Sequence, residues 1–307
     1  MDSNVLILNR WIAALQMMRP ANILTAWADI WVGVAIAGIL PTAIDSTISL
    51  VTLSPLLWLL IATTGLYGGG VVFNDVFDAE LDGIERPERP IPSGRASLNF
   101  GIGLGIVLLI IGILAAIQVS WVSGAIATII AFLALFYDAV GKHHPIVGPL
   151  NMGMCRGANW LLGVSIVPSM LEVRWFLSVI PILYIAAITV MSRGEVQGGS
   201  RRTGMIAIGL LGLVVGALFS LDLLPNFTMI FMVPFGLVWG YLVWPAFIQA
   251  TRNPTAELIR QAVRAGIIAL IALDSAIVAG FSHWSYGLLV LALLPISRIL
   301  AKQFAVT

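Results

Sequence analysis

The chain is short of charge and of cysteine. Only 10% of its 307 residues are charged, against 59% apolar, whereas a soluble globular domain carries about 25% charged residues. So few charges cannot cover a folded surface in water. That excludes a water-soluble enzyme, a nucleic-acid binder and a disordered linker. One cysteine, Cys155, excludes an intrachain disulfide and leaves the redox compartment open. A net charge of +1 points to no acidic partner. Carboxylates are scarce except in one stretch, where six of the fifteen acidic residues fall between Asp75 and Glu88.

What is abundant is continuous apolar sequence. A bilayer crossing needs about 20 mostly apolar residues. Runs of that kind predict spans near 23–42, 51–73, 98–117, 120–137, 148–168, 175–192, 204–222, 226–248, 262–281 and 285–301. The runs do not alternate, which excludes a β-barrel. The expected fold is an all-α integral membrane protein with nine to ten transmembrane helices. The count is nine if the tenth span, joined tightly to the ninth through Phe281-Ser282-His283-Trp284, is partial or re-entrant. Before the first span, Leu8, Trp11, Leu15 and Met18 recur at helical spacing, which predicts an interfacial helix within residues 1–22. Arg10 and Arg19 interrupt that segment and no small-residue cleavage site follows, so it does not read as a secretory signal.

Basic residues set the expected orientation. With the N-terminus inside, fourteen of the sixteen Lys and Arg collect on one side. Arg174 falls in an opposite loop and Arg156 within a span. Cytoplasmic loops carry such an excess, which predicts that residues 74–97, 138–147, 193–203 and 250–261 face the cytoplasm.

The densest chemistry follows the second span, in Asn74-Asp75-Val76-Phe77-Asp78-Ala79-Glu80-Leu81-Asp82. At about 100° per residue, Asp75, Asp78 and Asp82 fall within about 60° of one another on a helix, and Asn74 widens the arc to about 100°. Carboxylates crowded on one face repel and protonate unless a cation neutralises them. Oxygen ligands in that number suit Mg²⁺, which keeps several waters and is commonly shared with substrate phosphates. Arg86, Arg89 and Arg95 add phosphate-binding forks close by. A solvated acidic helix end would account for exposed carboxylates, but not for their spacing or for the following Pro-anchored turn, Arg89-Pro90-Ile91-Pro92-Ser93-Gly94-Arg95.

These residues resemble the first Asp-rich motif of the UbiA family of intramembrane prenyltransferases, N-D-x-x-D-x-x-x-D followed by R-P-x-R-P-I-P-S-G. Arg19-Pro20-Ala21-Asn22 also resembles the family, as do the span count and the two polar loops. The resemblance implies a single UbiA-like bundle over residues 1–307 around a central cavity, with loops 74–97 and 192–203 forming the active site. It implies that Asp75, Asp78 and Asp82 hold Mg²⁺, with Asp75 and Asp78 catalytic, while Asn22, Asn74, Arg86, Arg89, Lys142, Arg156 and Arg193 bind substrate. The reaction it implies transfers an isoprenyl group from a prenyl diphosphate to an unidentified small-molecule or lipid acceptor within the membrane. Such chemistry needs charge aimed at the departing oxygens and a dry cavity.

The sequence departs from the family at its second acidic motif. The matching positions are Ser192, Glu195 and Gly199, so Glu195 alone keeps its acid, among Arg193, Arg201 and Arg202. Glu195 is then either a residual metal ligand or a base for the acceptor. The stretches "YDAVGKHHPIVGPLNMGMCRGANWLLG" and "SRGEVQGG" further resemble the EboC-type UbiA-like proteins, which implies a role outside quinone and haem biosynthesis. The alternative is a lipid- or metabolite-handling protein that has kept the fold without the chemistry. A phosphatidyl-alcohol phosphotransferase is set aside, because Asp82-Gly83-Ile84-Glu85-Arg86-Pro87 lacks that family's Ala and Arg.

Other polar residues in or near spans divide between structural and binding readings. Asp138 and Lys142, four apart, make either a helical ion pair or, through the lysine, a diphosphate contact. Arg156, with Asn151 and Asn159 near it, either snorkels or faces the cavity, and the sequence favours the cavity. Asp29 and Asp274 read as protonated, hydrogen-bonded acids or as catalytic groups.

Overall fold

The computed structural model describes residues 3–41 and 50–304, with side chains from residues 11–41 and 54–304. The described chain is helical. Helix α1 (Ser3–Met18) leads into α2 (Pro20–Ile36), α3 (Leu50–Phe77), a short α4 (Ala79–Glu85), α5 (Leu98–Ile117), α6 (Trp121–Ala139) and α7 (Val147–Val164). There follow α8 (Pro168–Arg174), α9 (Val179–Ser192), α10 (Arg201–Ser220), α11 (Met229–Arg252), α12 (Ala256–Phe281), α13 (Trp284–Leu291) and α14 (Leu293–Phe304).

Eight of the described helical stretches are long and apolar enough to cross a membrane. The two further predicted spans fall on α2, which has 17 residues, and on α7, whose Asn151, Arg156 and Asn159 dilute its apolar character. Each of the ten predicted runs therefore lies largely on helix, residue 42 of the first run falling outside the described residues, and the protein is an integral, multi-pass membrane protein. The tenth run is two helices meeting at Ala292. The sixth is continued backwards by α8 and a single 3₁₀ turn, Trp175–Ser178.

Helix boundaries follow local chemistry. Ser97, Ser120, Ser200 and Thr255 each cap a helix by accepting a bond from a backbone N–H three residues on, satisfying a donor the helix itself cannot. Pro20 and Pro168 stand at first helical positions, where a missing N–H costs nothing.

In lipid the apolar tails are no better solvated than the helices, so close packing carries association. The Gly33 contact shows how tight that packing is. A Cβ there would collide with the Trp160 carbonyl oxygen and lie 2.5 Å from the Gly163 Cα, so α2 and α7 touch backbone to backbone. Gly65 and Gly112 do the same for α3 and α5. Helices α2 and α12 sit innermost, each buried along most of its length and packed on the other. Ile110, Phe132 and Leu237 point outward from α5, α6 and α11, an apolar exterior suited to lipid.

This packing brings the first turn of α2, the end of α3 and the end of α6 to one face of the bundle. Ser297 of α14 pins that first turn by donating to the Ala21 carbonyl at 2.9 Å.

Candidate functional site

Helix α3 stops at Phe77, and Asp78 takes a non-helical conformation (φ −93°, ψ 5°) before α4 resumes. The carboxylates therefore do not ride one uninterrupted helix. They straddle a kink, with Asp75 before it, Asp78 on it and Asp82 in α4. Among the described residues no three His, Cys, Asp or Glu side chains converge as a metal cage.

Cations stand between them instead. Arg89 Nη1 donates to Asp82 at 2.5 Å and to Asp75 at 3.3 Å, bridging the two acids. Arg19 Nη2 donates to the same Asp75 oxygen at 2.7 Å. Lys142 Nζ donates to Asp78 at 2.5 Å, so its partner lies across the site rather than one turn back at Asp138. Asn74 Nδ2 donates to Asp138 at 2.9 Å and to Asp78 at 3.3 Å, tying α3 to α6. Asp75, Asp82, Arg89 and Asp138 are all buried. Three carboxylates thus face three cations, which offsets the repulsion among the acids.

The backbone holds these groups by two devices. Arg19 joins α1 to α2 in the left-handed region (φ 49°, ψ 66°), which an L-residue adopts at a cost. Arg89 opens the Pro-rich turn, where Ser93 N–H donates to its carbonyl and Gly94 supplies a positive φ of 74°. Arg95 does not join the acids. It bonds Gln16 and the Glu88 carbonyl, both at 2.5 Å, and so fastens the turn to α1.

The second loop departs from an acidic site here too. Ser192 donates to the Thr189 carbonyl at 3.0 Å, and Gly199 N–H bonds Pro254. Arg193 donates to the His144 carbonyl at 3.0 Å, and Arg260 reaches the Glu195 carbonyl at 3.4 Å. Burial pushes the Glu195 carboxyl above its ordinary 4.5, while Arg86 and then Arg260 pull it back down. That electrostatic pull links the Glu195 loop to the end of α4. Because the folded value is raised, the stabilisation belongs to the neutral acid and is lost as pH rises through the folded value. Glu195→Gln is therefore expected to be at least as thermally stable as the unaltered protein at pH 7. The difference should close as the pH falls below 4.5, the ordinary value, in paired melts across that range.

Not every expected site residue gathers here. Arg156 lies on α7, and its hydrogen bonds go to α2 and not to the acids of the kink. It donates to Asp29 at 2.6 Å and to Thr25 at 2.6 Å and lies 5.1 Å from the Tyr67 ring centroid. Asp29 also accepts from Asn159 and Trp160, while Asn159 further accepts from Thr63. This polar layer ties α2, α3 and α7 together. Asp274 of α12 is wholly buried, both oxygens without a partner among the described residues. Asn22 sits half-buried in the first turn of α2, three residues past Arg19. Sequence reasoning missed Arg19 and Asp138 as site residues. The Arg19-Pro20 junction carried a signal, whereas the Asn74–Asp138 contact left none.

The oxygen-only acids of the kink are the donor type that Mg²⁺ takes. Among the described residues, Asp75 Oδ2, Asp78 Oδ2 and Asp82 Oδ1 are each left without a cation partner. By donor chemistry and charge the residues fit.

Residues 31–195 match the model of the UbiA prenyltransferase family. The chain is 30% identical over 236 residues to the digeranylgeranylglyceryl phosphate synthase of Methanothrix thermoacetophila, covering 73% of this chain and 80% of that one. The enzyme of the same name from Methanosarcina mazei is 29% identical, over 67% of this chain and 77% of that one. Among solved structures, a UbiA homologue from Aeropyrum pernix superposes with a TM-score of 0.64 at 14% identity, covering 84% of this chain and 97% of that one. One from Archaeoglobus fulgidus, bound to GPP and Mg²⁺, gives 0.55 at 12% identity over 91% and 99%. At those identities the structures establish the shared fold.

Proposed function

The chain belongs to the UbiA prenyltransferase family, and from that premise we propose that it transfers an isoprenyl group from a prenyl diphosphate to a membrane-borne acceptor, with Mg²⁺, at the kink between α3 and α4. The observation that carries this reading is the cluster of Asp75, Asp78 and Asp82, interleaved with Arg19, Arg89 and Lys142. Opposite charges so densely mixed can take up both halves of a metal diphosphate. On this reading the face bearing residues 74–97 and 193–203 is cytoplasmic, as its basic residues imply.

Asp75 and Asp78 would hold Mg²⁺, with Asp82 as a further oxygen donor. The ion would supply positive charge against the diphosphate oxygens. Asn74 fixes the carboxylates of Asp78 and Asp138 relative to each other. Lys142, Arg89, Arg86 and Arg193 bind the diphosphate and stabilise it as the C–O bond breaks and the electron pair leaves with it. Asn22, beside Arg19, borders the same face. The allylic cation left behind is captured by a nucleophilic atom of the acceptor, which forms the new bond and sheds a proton. Glu195, partly desolvated and raised above its ordinary pKa, is suited to receive that proton. The apolar helices exclude water from the cation.

For the acceptor, the relatives' name describes a product, a glyceryl phosphate with two geranylgeranyl groups. A lipid alcohol of that class is the acceptor these relatives support best. The test is turnover of purified protein in bilayer discs with labelled geranyl, farnesyl and geranylgeranyl diphosphates, with and without Mg²⁺. Each donor is paired in turn with geranylgeranylglyceryl phosphate, a phenolic acid and a membrane lipid extract. Mg²⁺-dependent appearance of label in an acceptor, with stoichiometric diphosphate release, is expected. No transfer from any donor to any acceptor would overturn the proposal.

A further inference from the structure

We propose that Asp29, Asp274 and Arg156 form a proton-binding site inside the bundle. Asp274 carries the proton and donates it to Asp29, whose charge is met by Arg156. These residues take no part in the reaction proposed above, and the inference does not rest on it.

The site lies deep. Asp29 and Arg156 each stand nine residues past the start of their helices, α2 at Pro20 and α7 at Val147, which is about 14 Å along the axis. Asp29 Oδ2 accepts from Arg156 at 2.6 Å and from Asn159 at 2.9 Å, and Oδ1 accepts from Trp160 at 3.2 Å. One acceptor position on Oδ1 is left open. Asp274 of α12 lies within hydrogen-bonding reach of Asp29. It is wholly buried, and no donor among the described residues serves either of its oxygens. Two carboxyls meet at that range only if one holds a proton for the other to accept.

Charge counting says how many protons and where. The charged groups that act most on Asp274 are Asp29 and Arg156. Tyr67 of α3 lies against Arg156 and Tyr184 of α9 lies close to Asp274, and neither supplies a cation. Two ionised acids against one guanidinium would leave a negative charge unpaired within the membrane, which is costly. One proton removes it. Asp29, with an arginine and two further donors, keeps the charge, whereas Asp274 has no donor and takes the proton. The bond so formed ties α12 to α2, the two innermost helices. A hard metal ion takes about six oxygens, and both oxygens of Asp29 already accept N–H bonds.

The number of protons held is then the number of acids less the number of cations. Asp274→Asn removes the acid that carries the proton. Asp29→Asn leaves Asp274 as the counter-ion of Arg156, so it too should hold none. Arg156→Met leaves two acids and no cation, and the site should take up a second proton. A merely structural cluster would not follow this rule.

The test is infrared spectroscopy of the full chain in bilayer discs, labelled with carboxyl-¹³C aspartate and held at pH 8 in D₂O, where solvated carboxyls are ionised. The Asp274→Asn spectrum is the baseline. Its amide still donates to Asp29, so its thermal midpoint should stay close to that of the unaltered protein. If that variant fails to fold, Asp274→Glu takes the acid out of the labelled set and serves instead. Against the baseline, the unaltered protein should show one isotope-sensitive carboxylic-acid C=O band. Asp29→Asn should lose that band, and Arg156→Met should strengthen it about twofold as both acids become neutral. No band in the unaltered protein would mean that Asp274 holds no proton and would overturn the inference. A band that survives Asp29→Asn would do the same. Either result leaves the proposed function standing.

Discussion

Replacing Asp78 with Asn is expected to reduce turnover by about 10³-fold while leaving the protein folded. The size follows from what one preorganised charge supplies in a water-excluded site, commonly 10²- to 10³-fold, with loss of a metal ligand added to it. Asp78 occupies the kink itself, held by Lys142 on one oxygen and Asn74 on the other. The amide is nearly isosteric, so the kink keeps its shape and the thermal midpoint should move little. Lys142 would lose its partner near the surface, where water can take its place. Asp78→Glu moves the carboxylate by one methylene and should retain only a small part of the activity. Turnover of the Asn variant within threefold of the unaltered protein would mean that the kink carries no chemistry.

How much of this could be read from the chain differs between spans and pairings. Among the described residues the apolar runs lie largely on helices because burial in lipid requires continuous apolar sequence with every backbone group satisfied internally, a demand that composition alone registers. Local breaks were harder to see. Nothing in the run from Asn74 to Asp82 marks Asp78 as the point where the helix stops, because Asp, Ala and Glu all tolerate helix, whereas its Lys142 partner comes from another part of the chain. The acidic cluster was visible as a concentration of charge. Of its partners, Arg89 stood close by in sequence, but the other two pairings left no mark, since Arg19 lies 56 residues from Asp75 and Lys142 lies 64 from Asp78. Spacing reports neighbours on one helix and is silent about neighbours on another. The same limit explains Lys142, whose four-residue separation from Asp138 suggested a local pair that the helix end at Ala139 does not form. It also explains why Glu195 read as an isolated acid, although Arg86 of the first loop acts on it.

Arg156 shows that limit at its widest, because its partner Asp29 is 127 residues away. Sequence position suggested a substrate contact, and the observed contacts give a different expectation. Its guanidinium is buried and engaged by Asp29 and Thr25, both at 2.6 Å, beneath the Tyr67 ring. Replacing Arg156 with Met strands the Asp29 carboxylate inside the bundle, which costs about 3–5 kcal/mol for a buried pair. The expected result is a large fall in thermal midpoint and in yield of folded protein. The double variant Asp29→Asn with Arg156→Met removes both charges and should recover much of that loss, because the amide oxygen can still accept from Asn159 without a counter-ion. Asp274 sharpens the case: it adds another buried carboxyl to the same interior, and Arg156 is the cation that acts on it. Thermal melts and a double-mutant cycle separate the two roles. A clamp between α2 and α7 gives a stability loss that the second substitution rescues. A diphosphate ligand instead gives a raised KM at unchanged thermal midpoint, and the Asp29 change would not restore it.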